Sequence, residues 1–562
     1  MTAERVIIIG AGPGGSAAAM ALCERGIPVL LIEAGPGFDP SRDYRLDRDD
    51  WEMTDFPYKP HSKGEYRFEV DQPLDPARDH MRSWTRAQGP FNQTDRRQVS
   101  GLGYHHVRGL GGSTLRFTGE AHRLNRHAMR MKTDFGVAAD WPLTYDDLEP
   151  WYRRAEAVIG VAGPGSSDDR PGDRSHLQPP HPLGSAGRCL ARGAKKLGMN
   201  WVANDRAALS RSTDDRPACN YCGNCNRGCP REDKGSADVT FLRRARATGL
   251  LETRILTRAT RLHADPADGR IRAIDLRDSD GNTDRLAVAG PVILAAGAIE
   301  TPRLLLASAS EAYPEGLANR SGQVGRNLMD TLHCSVSALA PLELASYKAL
   351  PADSICWDYN RPDSMPDVIG GCRFSATTNE IGLSGPIAYA RRAVPGFGSE
   401  LKQHMHEQFG MAVSIGAIGE SLPNEHTFVD LHPTDRDQQG QPVARIHAHL
   451  AEPDLERLDF MLKTCRHVLG SSGADSPFEQ FTSFDHYSVT HVFGSCRMGT
   501  RPEVSVTDAA QRCHDHANLF IADASVFPSS GGGESPSLTI SALSLRLGYS
   551  LRDKDMGISG SN

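Results

Sequence analysis

Apolar positions bunch into short unbroken runs at the start of the chain instead of alternating with polar ones. Arg5-Val-Ile-Ile-Ile-Gly10-Ala-Gly12-Pro-Gly-Gly15 carries one such run into glycines, an alanine-rich stretch follows, and a second run, Val29-Leu-Leu-Ile, ends on Glu33. Runs of strand length with no polar break predict strands buried on both faces of a sheet. The alanine-rich stretch between them predicts a helix, so residues 1–35 read as a βαβ unit with a glycine-rich turn after its first strand. In such a unit Gly10 permits the tight turn, Gly12 lets the backbone approach a pyrophosphate, and Gly15 lets helix and strand pack closely. The helix N-terminus offers free N–H groups to the phosphates. Glu33 is placed to accept hydrogen bonds from the ribose hydroxyls of an adenosine. A dinucleotide site is the expectation.

The pattern then changes repeatedly. Residues 36–100 are polar and irregular and read as a long surface excursion. Gly109-Leu-Gly-Gly-Ser-Thr-Leu115 is a second glycine-rich turn, and Thr144 before an acid-rich turn predicts a capped helix over 140–160. Residues 162–187 read as a loop. A helix near 240–248 and strands at 252–263, 270–278 and 284–294 are predicted next. The last of these, with Pro291-Val-Ile-Leu-Ala-Ala-Gly297 at its end, is nearly all apolar, and Gly297 permits close approach at its carboxyl end, where open α/β sheets bind ligands. Residues 335–485 lack glycine-rich turns and read as a separate, largely antiparallel unit.

Composition narrows the class without naming a chemistry. The 562 residues are 39% hydrophobic and 24% charged, as in an ordinary globular chain of two or three domains. A formal charge of −7 argues against nucleic acid as a partner. No apolar run approaches the roughly 20 residues needed to span a bilayer, and no leader precedes the first strand, so a cytoplasmic protein is expected.

Motifs near the carboxyl end sharpen this. Thr490-His491-Val-Phe-Gly494-Ser-Cys, Asn518-Leu-Phe-Ile-Ala-Asp523-Ala-Ser-Val-Phe-Pro528 and Glu534-Ser-Pro536-Ser-Leu-Thr-Ile540 follow the opening βαβ unit, Gly109–Leu115, Ala295-Ala-Gly-Ala-Ile-Glu-Thr-Pro302 and Val324-Gly-Arg-Asn-Leu328. In this order, over nearly the whole chain, they resemble the glucose–methanol–choline (GMC) oxidoreductases. The resemblance implies an α/β fold with an FAD-binding Rossmann-like domain and an α+β substrate domain built on an antiparallel sheet. It divides the chain into a discontinuous FAD-binding unit (1–35, 95–130, 236–333 and 491–555) and a substrate region (131–235 and 334–490). It implies oxidation of an alcohol of a sugar, polyol or other hydroxylated metabolite: a histidine takes the hydroxyl proton while the carbon-bound hydride passes to the flavin N5. Histidine suits that base role because its charge changes near neutral pH.

Carried over residue by residue, the resemblance makes His491 the base. Ser535 stands where the family has Asn or His, so its hydroxyl is expected to touch substrate but not to act as acid or base; Glu534 is an alternative. Gly109, Gly111, Gly112 and Ser113 are expected near the flavin ring, Ala296 near the cofactor, and Asp523 and Ala524 near its ribityl and phosphate groups, with Asp523 alternatively a helix cap. Arg116 and Phe117 replace residues that tether flavin in some relatives, so FAD is expected to be non-covalent. His105 and His106 are flavin contacts or ordinary structural histidines. The Ser535 departure also leaves open a non-redox or light-driven flavoprotein on the same fold.

Four of the twelve cysteines form Cys219-x2-Cys222-x2-Cys225-x3-Cys229-Pro230. This is ferredoxin-like spacing, and it is similar to the cluster loop of some FAD-dependent sugar dehydrogenases. It predicts an Fe–S cluster ([3Fe–4S] or [4Fe–4S]), a zinc site or a metal-free structural loop, since relatives without iron carry a comparable loop. A cluster would make the chain one subunit of an electron-transfer complex with an acceptor protein.

Overall fold

The computed structural model describes residues 5–45, 65–70, 72–97, 104–380, 382–487 and 490–551. The predicted βαβ unit forms: strands Val6–Ile9 and Val29–Ile32 flank the helix Pro13–Glu24. Every residue of both strands is buried, which accounts for their unbroken apolar character. They sit inside a five-stranded parallel sheet ordered Leu519–Ile521, Val292–Leu294, Val6–Ile9, Val29–Ile32, Leu251–Arg254. The C-terminal helix Ser537–Ser550 packs on Pro13–Glu24 so closely that a Cβ on Gly548 would lie 2.6 Å from that of Ala21.

Two predicted strands prove to be pairs of shorter ones. The 252–263 segment breaks at Leu256, whose φ is +51°: Leu251–Arg254 stays in the parallel sheet, while Thr257–Ala264 joins Ile271–Asp278 and Thr283–Ala287 in an antiparallel sheet. The 284–294 segment breaks before Pro291, leaving Val292–Leu294 in the parallel sheet. The predicted helix at 140–160 is Tyr145–Ile159, started by a reciprocal capping box between Thr144 and Asp147 and ended by Gly160 at φ +79°.

An eight-stranded antiparallel sheet dominates the later part of the chain. Its centre is Pro477–Thr482, Leu332–Leu339, Ala412–Gly419 and Cys372–Ala376, in that order. One face carries Val336, Phe374 and Ile415 against Leu458, Met461 and Leu462 of the helix Glu452–Ser471. The other face is more polar and looks into a cavity. The excursion at 36–100 is more than surface chain: Trp84–Thr85 pairs with Glu479–Gln480, and Tyr66–Glu69 pairs with Pro442–His447. Its residues 46–64, 71 and 98–100 lie outside those described, as do 1–4, 101–103 and 552–555 of the expected FAD-binding unit. No helix among the described residues is long and apolar enough to cross a membrane.

Candidate active site

A cavity of about 860 Å3 runs from the carboxyl ends of the parallel strands to the polar face of the antiparallel sheet. At one end it meets the N-terminus of the helix Pro13–Glu24. Gly12 caps that helix with no side-chain hydrogen bond, and a Cβ added to Gly12 would meet no atom within 4 Å. Unsatisfied N–H donors beside open space form an anion cradle. The neighbouring glycines are closed in instead. A Cβ on Gly10 would lie 2.4 Å from the Ala295 carbonyl oxygen, and one on Gly15 1.9 Å from that of Gly10. Gly10 lines the cavity and Gly15 lies behind it, holding the helix against the turn.

Glu33 lines the cavity, but the chain itself already binds its carboxylate. Oε2 accepts from the Ala11 N–H (2.9 Å), and Oε1 from the N–H groups of Gly35 (2.8 Å) and Gly109 (3.0 Å). Glu33 therefore pins the second glycine turn to the first, a role the sequence reading did not assign. Gly111 adds to that clamp by donating to the Ala11 carbonyl (2.9 Å), and Gly112 packs so tightly that a Cβ there would lie 2.6 Å from the Gly12 Cα. Gly109 and Gly111 thus shape the turn from behind, while Gly112 and Ser113 reach the cavity.

Ala296, Asp523 and Ala524 line it from the opposite side. Asp523 caps the short turn Ala524–Val526 through the Ser525 N–H (2.9 Å) and also accepts from the Gly297 N–H (2.9 Å) and the Thr301 hydroxyl (2.6 Å). It is both cap and cavity wall. His105 and His106 line the cavity too. Burial lowers His106 to about 3, so it is neutral near pH 7, stacked on Tyr104 with ring centroids 4.9 Å apart.

His491 and Ser535 line the cavity too. His491 immediately precedes the strand Val492–Phe493, which pairs with Met329–Asp330. That pairing sets Thr331 next to it, with the Thr331 hydroxyl 3.5 Å from His491 Nδ1. Ser535 Oγ donates to Glu120 Oε2 (2.9 Å), and its N–H donates to Nδ1 of His122 (3.1 Å). With Nδ1 accepting, His122 carries its proton on Nε2, facing Asn204 Oδ1 at 2.8 Å, and burial lowers it to about 3. Glu534, the alternative to Ser535, is drawn away: its Oε1 accepts from Arg170 (2.7 Å) and the Asn125 N–H (3.1 Å), and it is absent from the cavity wall.

The sheet face of the cavity was largely unmarked in the sequence. His333, Cys334 and Ser335 on one strand, with Arg373 and Ser375 on another, line the cavity. On the second strand these alternate with Cys372 and Phe374, which point into the core. Polar–apolar alternation was the available signal. Arg373 is fully engaged, giving Nη2 to Glu120 (2.6 Å), Nη1 to Ser375 (2.6 Å) and Nε to the Gly533 carbonyl (3.1 Å). Burial pushes Glu120 up, but Arg373, then His122 and Arg206, overcome this and hold it well below the usual carboxylate range. Arg373→Ala strips a buried carboxylate of its main partner and is expected to cost about 3–5 kcal/mol, read as a lower urea midpoint. The deficit is full above the pH at which Glu120 titrates in the unfolded chain. It closes as pH falls through its lower native value.

The four cysteines do not assemble a metal site. Among the described residues no group of three or more His, Cys, Asp or Glu side chains is placed to hold a metal ion, so the expected Fe–S or zinc centre is not supported. The physical reason is the path of the loop. Tyr221, Gly223 and Gly228 all have positive φ (+59°, +75° and +89°), and the thiols are engaged locally: Cys219 Sγ accepts from the Tyr221 N–H, and Cys229 Sγ donates to Asp233 Oδ1 at 3.3 Å. Cys222 is exposed. Burial pushes the Cys225 thiol up to about 12. The loop instead buttresses the cavity through its backbone. Buried Lys234 donates to the carbonyls of Leu115 (3.0 Å), Phe117 (3.2 Å) and Cys225 (2.6 Å), and Arg116 Nε donates to the Asn226 carbonyl (2.9 Å). Asn226 and Arg227 thereby reach the cavity wall. Iron and zinc analysis of anaerobically isolated protein is expected to read well below one ion per chain.

The fold and this cavity define a dinucleotide-binding oxidoreductase. The models for the amino- and carboxyl-terminal parts of the GMC oxidoreductases match residues 108–333 and 423–544, and a model of the NAD(P)-binding Rossmann-like domain matches residues 8–48. The chain belongs to the GMC oxidoreductases, whose cofactor is FAD. It is 28% identical to 2-methyl-1,2-propanediol dehydrogenase of Mycolicibacterium austroafricanum, over 97% of this chain and 94% of that one. It is also 28% identical to the fructose dehydrogenase large subunit of Gluconobacter japonicus, over 96% of each. The solved structure of pyridoxine 4-oxidase from Mesorbium loti shares the fold, with a TM-score of 0.62 at 19% identity over 97% of this chain and 98% of that one.

Proposed function

We propose that the protein oxidises an alcohol group of a sugar, polyol or other hydroxylated metabolite to a carbonyl, with non-covalent FAD as acceptor. One observation carries this reading: a single cavity joins the uncapped helix N-terminus at Gly12 to His491, Ser535 and a sheet face rich in hydroxyl and basic groups. The residues present fit FAD. The N–H groups at Gly12 suit a pyrophosphate, Glu33 has one carboxylate lone pair left for a ribose, and Gly112, Ser113, Ala296, Asp523 and Ala524 would border the flavin. When bound, FAD supplies an acceptor for the carbon-bound hydride. The segments that build this end, including the parallel strands from Val6 to Ile521, are assigned to the FAD-binding unit, and 131–235 with 334–490 to the substrate region.

The chain's own residues do the remaining work. His491 accepts the substrate hydroxyl proton, which makes the carbon a better hydride donor. The Ser535 oxygen, with its own proton donated to Glu120, accepts a hydrogen bond from a neighbouring substrate hydroxyl and orients the substrate. His333, Ser335 and Ser375 hold its other hydroxyls. The fructose dehydrogenase relative is named a large subunit, which favours a further subunit as a partner here too. Anaerobic mixing of flavin-loaded protein with a panel of diols, polyols and sugars tests the activity. Bleaching of the flavin by one class, with one carbonyl formed per flavin, is the expected result. An oxidised flavin throughout would refute it.

A further inference from the structure

Ser535 poses a problem for the reaction. A serine hydroxyl has one proton, and here that proton is spent on Glu120 Oε2, 2.9 Å away. Glu120 is a committed acceptor, held ionised by Arg373 at 2.6 Å. Ser535 therefore accepts but does not donate. Yet a substrate oxygen that loses its proton to His491 gains negative charge on the way to the transition state, and a donor aimed at it lowers the barrier.

The cavity wall offers a second carboxyl beside this cluster. Glu380 follows the strand Cys372–Ala376, at a turn closed by its own N–H on the Thr377 carbonyl (2.8 Å). It lines the same cavity as His491, Ser535, Glu120 and Thr118. The sequence reading gave it no role.

We propose that the Glu380 carboxylic acid is the second hydrogen-bond donor to the substrate oxygen, the place Ser535 cannot fill. The inference rests on the alcohol-oxidation reading above. Glu380 keeps its proton throughout: the hydroxyl proton goes to His491, the hydride leaves the carbon for the flavin, and the acid contributes a hydrogen bond only.

Its surroundings favour the protonated form. From the packed elements it faces the Glu120 carboxylate, the Arg373 guanidinium on the strand it follows, the Arg206 guanidinium and the Thr118 hydroxyl. Removal from water and the Glu120 charge raise it to about 7, against the smaller pull of the two arginines and Thr118. Those arginines are engaged elsewhere: Arg373 as described, and Arg206 with the carbonyls of Ala352 (3.2 Å) and Thr118. Thr118 exerts the smallest of these pulls.

His491 works as a base only when neutral, so its limb rises with pH. Glu380 works as a donor only when protonated, so turnover falls as pH rises through about 7. Glu380→Gln keeps an N–H donor but has no proton to lose, so it should abolish the alkaline fall. Glu380→Leu removes the donor and should lower kcat below neutrality on the order of a hundredfold, with a smaller change in KM. Infrared difference spectra give a readout free of turnover: a protonated-carboxyl band at neutral pH in wild type, absent from Glu380→Gln. An alkaline limb that survives in Glu380→Gln, wild-type kcat in Glu380→Leu, or a missing infrared difference would each overturn the proposal. If the infrared band is present while no alcohol reduces the wild-type flavin, the reaction assigned to the site is wrong, and the donor role falls with it.

Discussion

His491→Ala should slow reduction of the bound flavin by alcohol by roughly 10²–10⁴ while leaving FAD binding intact. That is the range by which a positioned general base accelerates proton removal. The separation of effects follows from the geometry: His491 precedes the strand Val492–Phe493, whereas the uncapped helix N-terminus at Gly12 belongs to the opening βαβ unit. Stopped-flow reduction of flavin-loaded variant and wild type, with flavin content measured in both, checks it. Raising the pH should recover part of the loss, because a stronger external base replaces the missing imidazole. A variant that reduces flavin at the wild-type rate at neutral pH would remove His491 from the chemistry.

Gly12→Ala and Gly15→Ala should fail in opposite ways. Gly12 has φ −67°, a conformation alanine adopts freely, and open space where its Cβ would stand. The FAD-free variant should keep its urea midpoint within about 0.5 kcal/mol of wild type. The methyl group would occupy the approach to the helix N-terminus, however, and weaken FAD binding by about tenfold or more, equivalent to about 1.4 kcal/mol. In Gly15→Ala the new Cβ would lie 1.9 Å from the Gly10 carbonyl oxygen and 3.2 Å from the Ala295 Cβ. Backbone cannot yield as a flexible side chain can. The cost should reach about 3 kcal/mol of stability, at the upper end of ordinary overpacking, with or without cofactor. Denaturation midpoints and flavin titrations on the two FAD-free variants separate the roles.

The cofactor end was legible because its physics is local. Strands buried on both faces write contiguous apolar runs such as Val6–Ile9 and Val29–Ile32, and the turn between strand and helix demands glycine where a Cβ would strike backbone. Glu33 was found, but not its use, since the Gly109 N–H meets it only after residues 76 positions apart come together. The cluster around Glu120 is built almost wholly by such long-range encounters. Glu120, Arg373 and Ser535 come from three distant segments, and nothing near Glu380 in sequence marks it as part of their cluster. Cysteine spacing left a metal centre and a metal-free loop both open for the converse reason. It states how far apart the thiols lie along the chain and nothing of the turns at Tyr221, Gly223 and Gly228 that send them to separate partners.

The most direct test is a single turnover without oxygen, with an alcohol carrying deuterium on its carbinol carbon. Alcohol oxidation in this cavity predicts that the flavin bleaches more slowly than with the protiated alcohol, that one carbonyl forms per flavin, and that His491→Ala slows both reactions further. A flavin that stays oxidised with every alcohol offered, or one reduced without carbonyl product, would contradict it.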